Sequence, residues 1–190
     1  MAYTSCAAGL GANIARDCAK PSNPGFTGEG LLIDLDAVTP TITQLTANPR
    51  VLTSVSVGAG DKVCVVDNVW INPFDGSANA LNTENGRPKY DKTVIVRVPA
   101  NTAAAAKDII EPMAQRRLLG IFKMNDGRYL VYGFAGTMKA SEQTQNEGEN
   151  GGDWAVTLTS SEDWAVCELI SDSSVQSTAD IYDALKAKAY

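Results

Sequence analysis

The chain has 190 residues, 44% of them hydrophobic and 20% charged, which is typical of a soluble globular protein with one substantial core. It contains no histidine, which excludes Ser-His-Asp and Cys-His nucleophile systems and His-ligated zinc sites. The net charge of −6 and the pI of about 4.6 disfavour a protein that grips nucleic acid through its phosphates.

The first 28 residues are rich in Ala, Gly, Asn and Pro and show little periodicity, so we expect residues 1–28 to form an N-terminal arm. The start of the chain lacks the basic and apolar regions of a signal peptide, and no apolar run is long enough for a membrane span. We therefore expect synthesis in a reducing cytoplasm. None of the four cysteines forms a CxxC pair, and a Cys6–Cys18 bridge stays an open alternative.

A different pattern begins at Glu29, where short β-strand sequences alternate with turn residues. The clearest strand covers residues 90–98, and the Asn-Asp-Gly tripeptide at 125–127 is a strong signal for a tight hairpin. Residues 61–70 are expected to pair with the strand before them as a second hairpin. The predicted strands are 30–35, 50–57, 61–70, 90–98, 117–124, 128–134, 135–143, 153–160 and 164–170.

Residues 72–89 contain two prolines, two glycines and four asparagines, and almost nothing apolar. This composition predicts a long loop, and loops of this length in compact domains are usually functional or mobile. One alternative is a floppy insertion. The other, which we favour, is a loop that becomes ordered against a partner.

Two helices complete the predicted elements. Asn101 is a good N-cap for a helix over 101–115, which Pro112 should kink or end near Glu111. A second helix is expected at 178–190, with Thr178 as its cap and an apolar face that includes Ile181.

Even strand spacing and tight turns predict a mainly β fold, an antiparallel β-sandwich or barrel with one flanking α-helix and a short C-terminal helix. We expect the helix to pack across an open edge or face of a sheet. The expected organisation is an arm at 1–28, a β-sandwich domain at 29–170 with the long loop 72–89 and the helix 101–115, and a C-terminal tail at 171–190.

Sequence motifs for catalysis are missing: there is no GxGxxG, Walker A or GxSxG. Asp34 and Asp36 share one strand face, but a solvated strand end explains them better than a cation site. The dipeptides at 67–68 and 75–76 lack the spacing of a calcium loop. We therefore predict no catalytic residue, no metal and no cofactor.

Other residues invite both a plain and a functional interpretation. Glu142, Glu147 and Glu149 lie around a Gly-rich loop, which is either solvated or an acidic surface that lines a channel or contacts a basic partner. The basic pair Arg116 and Arg117 faces solvent or makes interfacial salt bridges. The Asp-Trp-Ala-Val sequence occurs at 153–156 and again at 163–166, and we expect core packing for both tryptophans.

Three peptides together resemble a known group of proteins. They are residues 13–21 (NIARDCAKP) after Cys6, residues 126–133 (DGRYLVYG) and residues 152–160 (GDWAVTLTS), with the strand at 30–35 between the first two. In this order they resemble small virion structural proteins of tailed bacteriophages, and in particular the tail-tube-like group of phages of gut Bacteroides-type bacteria.

This resemblance implies a subunit, usually of a hexameric ring, that stacks into a tube for DNA passage and contacts other tail or connector proteins. It implies residence in the virion tail, no membrane, and DNA that passes an acidic lumen without specific binding. Glu142, Glu147 and Glu149 are then candidates for lumen charge. The candidates for the assembly interface are Asn72, Pro73, Phe74, Asp75, Asn85, Arg87, Arg116 and Arg117.

Three alternatives stay open. The first alternative is a head-decoration or auxiliary capsid protein. The second is a small carbohydrate-binding β-sandwich module with Trp70, Trp154 or Trp164 as a stacking platform. An enzyme that uses carboxylates alone ranks last, because no carboxylate pair can be assigned to a common cleft.

Overall fold

The computed structural model of the chain describes residues 25–67, 73–83, 88–100, 102–145, 152–172 and 176–190. In these residues two β-sheets form an open sandwich, so the predicted mainly β fold is confirmed, as a sandwich and not as a closed barrel. The predicted flanking helix and short C-terminal helix are both present.

The larger sheet has seven strands in the order β2-β3-β11-β8-β7-β1-β4. Neighbouring strands are antiparallel except β11 and β3, which are parallel. The hairpin predicted at 125–127 connects β7 and β8, and Gly127 there has a φ of 84°. The strands are β1 (Phe26–Asp34), β2 (Thr41–Leu45), β3 (Asn48–Ser56), β4 (Cys64–Asp67), β7 (Leu118–Met124), β8 (Tyr129–Tyr132) and β11 (Glu168–Leu169).

The smaller sheet has four antiparallel strands in the order β5-β6-β10-β9. Its central strands show the period-two burial of a sheet with one covered face, because Val94, Val96 and Val98 are buried while the residues between them are half-buried. The strands are β5 (Phe74–Asn82), β6 (Lys89–Val98), β9 (Lys139–Gln145) and β10 (Trp154–Glu162).

A single helical stretch flanks the sandwich and has three parts: α1 (Ala103–Ala105), a π-helical turn (Ala106–Ile110) and α2 (Glu111–Gln115). Thr102 caps its start by accepting the Ala105 N–H, and the predicted cap, Asn101, lies outside the described residues. Pro112 does not end the helix. The wider π turn, in which the Glu111 N–H donates to the Ala106 carbonyl, precedes the proline, and the last turn continues to Gln115.

The centre of the seven-stranded sheet is buried on both faces, which explains the unbroken apolar run in β1. Leu32 faces the core between the two sheets, together with Phe122 of β7. Leu31 and Ile33 face a second core, which helix α3 (Thr178–Lys186) covers. Three α3 side chains are buried there: Ile181, Tyr182 and Leu185.

Several sequence expectations were wrong. The arm does not extend to residue 28, because β1 begins at Phe26; residues 1–24, with the proposed Cys6–Cys18 bridge, lie outside the described residues. The described part of the strand predicted at 61–70 is β4, which pairs with β1 and not with β3; residues 68–70 lie outside the described residues. Strand β2 was not predicted at all, and the cap of α3 is Ser177, not Thr178.

The structure also defines the predicted long loop and the predicted C-terminal tail with its helix. The loop predicted at 72–89 contains strand β5, which pairs with β6 from Phe74 to Asn82. The tail predicted at 171–190 contains α3, which packs on its own sheet, and Lys186 of that helix pairs with Glu29 of β1 at 3.0 Å. In its described part this tail therefore belongs to the fold of its own chain.

Candidate assembly edges and a buried ion pair

Strand β5 forms one edge of the four-stranded sheet and pairs with no second strand among the described residues. It is nine residues long, and six of them are exposed. Its only charge is on Asp75, which forms an ion pair with Arg97 of β6, and it contains neither lysine nor proline. These are the properties of a strand edge that accepts another strand.

The two edges of the seven-stranded sheet carry devices that oppose strand addition. Strand β2 is short, and its pairing with β3 shifts register at Gln44 on both sides. Strand β4 has four residues, and Val63 just before it forms a bridge with Ala189 near the chain end. Strand β5 also has a register shift, between Phe74 and Gly76, but the rest of its pairing with β6 is regular. In the described part of the chain it is therefore the edge strand with the longest regular stretch.

Strand β9 forms the other edge of the four-stranded sheet. Five of its seven residues are exposed, among them Lys139 and Glu142, and its pairing with β10 contains a register shift beside Leu158. The helix contacts its inner side, where the Gln143 side chain donates a hydrogen bond of 2.8 Å to the Ile110 carbonyl. Strand β9 therefore carries a bulge and charged side chains, which weaken strand addition, but no second strand pairs with its outer edge among the described residues.

The predicted interface residues do not form one surface. Pro73 and Phe74 are buried, and Phe74 packs edge-on against Phe26 and Phe122 in the core between the sheets, which leaves it no free face for a partner. Asp75 lies beside Arg97 on the surface. Three other candidates lie outside the described residues: Asn72, Asn85 and Arg87.

The basic pair at 116–117 is engaged within the chain. Arg117 donates to Asp36 from its side chain at 2.7 Å and from its backbone N–H at 2.8 Å. The backbone hydrogen bond from Arg117, followed by the one from its side chain, lowers the pKa of Asp36. Arg116 lies 3.8 Å from Asp34, so the two basic residues neutralise the acidic end of β1.

Of the candidates for lumen charge, only Glu142 lies within the described residues. It stands opposite Thr157 on the outer face of the four-stranded sheet, and Lys139, opposite Thr159, is on the same face. An acidic character is therefore not evident on this part of the face, and the role of Glu142, Glu147 and Glu149 stays a prediction.

The two tryptophans of the repeated sequence are in different settings, and β10 and β11 are not partners in one hairpin. Trp154 begins β10, packs on the core between the sheets and donates a hydrogen bond of 3.2 Å to the Ala100 carbonyl. Trp164 packs on Phe134 with ring centroids 6.0 Å apart. These packing roles lend no support to a carbohydrate-stacking platform at either residue.

Lys92 and Glu162 form an ion pair that sequence analysis missed. Both side chains are fully buried, and the Lys92 Nζ lies 2.6 Å from the Glu162 Oε2. The other carboxylate oxygen accepts hydrogen bonds from the Gly133 N–H at 2.6 Å and the Ser160 hydroxyl at 2.9 Å. The pair thereby connects both central strands of the four-stranded sheet to the end of β8 in the other sheet.

Aromatic and thiol groups surround this pair. The Lys92 ammonium lies 5.0 Å from the centroid of the Tyr132 ring, a cation–π distance. Burial, and then the Glu162 charge, raises the pKa of Tyr132 to about 12. Burial also raises the pKa of Cys167 to about 12, which keeps that thiol protonated and unreactive at neutral pH. The sequence signals this ion pair only by placing one charged residue at an inward position of β6 and another at an inward position of β10.

A cleft of about 350 Å³ opens between the helix and the edge of the seven-stranded sheet. Its walls include Leu32, Cys64 and Met113, and charged residues stand at its rim. Within the described ranges no three acidic, cysteine or histidine side chains are grouped to hold a metal ion. Those ranges also include no helix that is long and apolar enough to cross a membrane.

Comparison with known proteins adds no relative to this description. No family model matches the chain, and neither a curated protein nor a solved structure is significantly similar to it. Its class is therefore defined by the fold itself, an open two-sheet β-sandwich with a flanking helix.

Proposed function

We propose that this chain is a non-enzymatic structural protein that assembles with copies of itself, and that it is a ring subunit of a bacteriophage tail tube. The observation that carries the proposal is the β5 edge, which is long and nearly uncharged, and which pairs with no further strand along 76–81 among the described residues. One side chain in this stretch is engaged within the chain, because Asn79 donates a hydrogen bond to the Ala165 carbonyl. Such an edge attracts another strand, and natural proteins protect edges that must stay single.

The partner edge in this proposal is β9 of a neighbouring copy. Joining β5 of one subunit to β9 of the next extends the four-stranded sheet head to tail, and a head-to-tail contact closes into a ring if its rotation permits. The resemblance to tail-tube-like proteins favours six copies, stacked rings, and other tail or connector proteins as further partners. We place such tubes in the virion tail.

The outer face of the four-stranded sheet lines the channel in this arrangement. It presents Thr93 of β6 and Thr157 and Thr159 of β10, side chains that are small and uncharged. The charged side chains on this face are of both signs: Asp91, Arg97, Lys139 and Glu142. Because these charges largely offset one another, a passing DNA duplex would meet little net positive charge, and its affinity for the wall would be correspondingly low.

The test is the mass and shape of the purified protein, by light scattering and electron microscopy. We expect rings or stacked rings for the wild type, and a folded monomer for Ala78→Lys/Ala80→Lys, because lysines on an edge strand oppose strand addition. Ala179→Lys/Ala184→Lys on the exposed side of α3 is the control, and it should assemble normally. A wild-type protein that stays monomeric at high concentration would overturn the proposal.

A further inference from the structure

The register between β6 and β10 is weakly specified by their apolar residues. These strands pair over nine residues, from Val98 opposite Trp154 to Tyr90 opposite Glu162. A one-residue slip would turn every buried side chain outward, so burial opposes it. A two-residue slip keeps all side chains on their own faces. With Val94 opposite Val156 and Val96 opposite Trp154, two of the three apolar pairs are replaced by other apolar pairs, and Val98 alone loses its partner.

The buried ion pair opposes one of the two possible slips. In the observed register Lys92 stands opposite Ser160 and reaches diagonally to Glu162. If β6 slips so that Lys92 faces Leu158, the ammonium loses its carboxylate and lies against apolar side chains. Because an unpaired buried charge is far more costly than a lost apolar contact, this slip becomes strongly unfavourable.

This register fixes the relative position of the two open edges. Strand β5 pairs with β6 and β9 pairs with β10, so each edge follows its own central strand. A two-residue slip would displace β5 along β9 by about 7 Å at the usual rise per residue. Copies with different slips would then present edges that no longer match from one subunit to the next.

We infer that Lys92 and Glu162 are specificity-determining residues that set the β6–β10 register and thereby align the assembly edges. The alignment role rests on the proposed function, whereas the register role does not. Buried ion pairs are often no more stabilising than apolar residues of the same volume, and the best-attested use of buried polar groups is to select one register.

The experiment removes the pair and traps the register with cysteines. Thr93 stands opposite Thr159 in the observed register and would stand opposite Thr157 after the slip that the pair opposes. Thr93→Cys is combined with Thr159→Cys or with Thr157→Cys, and mild oxidation followed by peptide mapping identifies the bridge. Diagonal neighbours are too far apart for an unstrained disulfide, so each pair reports one register.

The background chains are the wild type, Lys92→Met/Glu162→Leu and Lys92→Met/Glu162→Gln. The last of these keeps an oxygen to accept the Gly133 N–H. The control is Lys89→Met/Asp163→Asn, which removes an exposed ion pair beside the same strands. We expect the 93–159 bridge alone in the wild type and the control. In the two variants without the Lys92–Glu162 ion pair we expect the 93–157 bridge at a tenth of molecules or more, with ring sizes that vary.

The inference is overturned if a folded variant without the ion pair forms only the 93–159 bridge. It is also overturned if both variants without the ion pair fail to fold while the control folds, because the ion pair would then act on stability and not on register. A wild type that forms no rings but shows the register change in the variants would refute the assembly proposal and leave the register role intact.

Discussion

At the scale of single residues, the contact between Arg117 and Asp36 at the acidic end of β1 predicts that the stability of the protein depends on pH. Arg117 lowers the pKa of Asp36, chiefly through its backbone N–H. A carboxyl group whose pKa is lowered by folding stabilises the native state above its ordinary pKa of 3.8, and the effect is lost as the pH falls through the lowered value. The side chain is open to solvent, so the effect is modest.

We expect Asp36→Asn to lower the free energy of unfolding at pH 7, with a deficit that narrows as the pH falls from about 4 to about 2. Urea unfolding at a series of pH values measures it. Asp172→Asn, which removes an exposed carboxyl group elsewhere, is the comparison for the loss of one negative charge. A deficit that is constant across this pH range would argue against the contact with Arg117.

Individual residues also show where sequence reasoning ends. The strand at Lys89–Val98 was predicted almost to its ends, since β-branched residues alternate along it. The burial of Lys92 within it was not predicted, because a lysine in a strand is normally solvated and its partner is 70 residues away. Only the register of β6 with β10 brings the two charges together, and no local pattern encodes that register.

Among the elements, those with a strong local signal were predicted and those that depend on pairing were not. Turn chemistry identified the β7–β8 hairpin, in which Gly127 adopts a positive φ. The composition of β5 predicts a loop because Asn, Gly and Ala have low β propensity, and pairing with β6 overrides that propensity. Similarly, β4 pairs with β1 and not with β3, a choice made by the whole sheet.

The crossover between β8 and β9 gives a prediction at this scale. Gly133 has a φ of 84°, and a Cβ there would lie 2.6 Å from the Leu118 carbonyl oxygen. Gly127 has the same φ, but its Cβ would meet nothing within 4 Å. Alanine at Gly127 therefore costs only the unfavourable backbone conformation, whereas alanine at Gly133 adds a clash with backbone.

We expect Gly127→Ala to destabilise the protein by about 1 kcal/mol and Gly133→Ala by about 3 kcal/mol or more. Urea unfolding of the two variants under identical conditions provides the comparison. Equal losses of stability would mean that the crossover moves away from Leu118 at little cost, and that Glu162 does not hold it firmly at the Gly133 N–H.

At the scale of the whole molecule, the two sheets have different roles, one in stability and one in the proposed assembly. The seven-stranded sheet is buried on both faces at its centre and its edges are protected, so it contributes stability. In the part of the chain that the structure describes, the four-stranded sheet has one uncovered face and two edge strands without a further partner strand. This difference could not be predicted from the sequence, since the sequence predicts a loop at β5 and assigns the helix at 178–190 to a tail outside the sandwich domain.

The direction of assembly gives the last prediction. A β5-to-β9 contact is head to tail, so a subunit that lacks one functional edge can still offer the other. We expect Ala78→Lys/Ala80→Lys, blocked at β5, and Glu142→Lys/Thr144→Lys, blocked at β9, each to be monomeric alone. When they are mixed, the free β9 of the first variant can join the free β5 of the second, and that complex has no further compatible edges.

The mixture should therefore contain a dimer with one copy of each variant, at twice the monomer mass, and no rings. Native mass spectrometry resolves the two variants by their masses. If β5 instead pairs with β5 of another copy, the β9-blocked variant would dimerise alone, and mixing the two variants would produce no new species. A dimer of one copy of each variant thus separates a contact that can propagate around a ring from a two-fold contact that ends at two subunits.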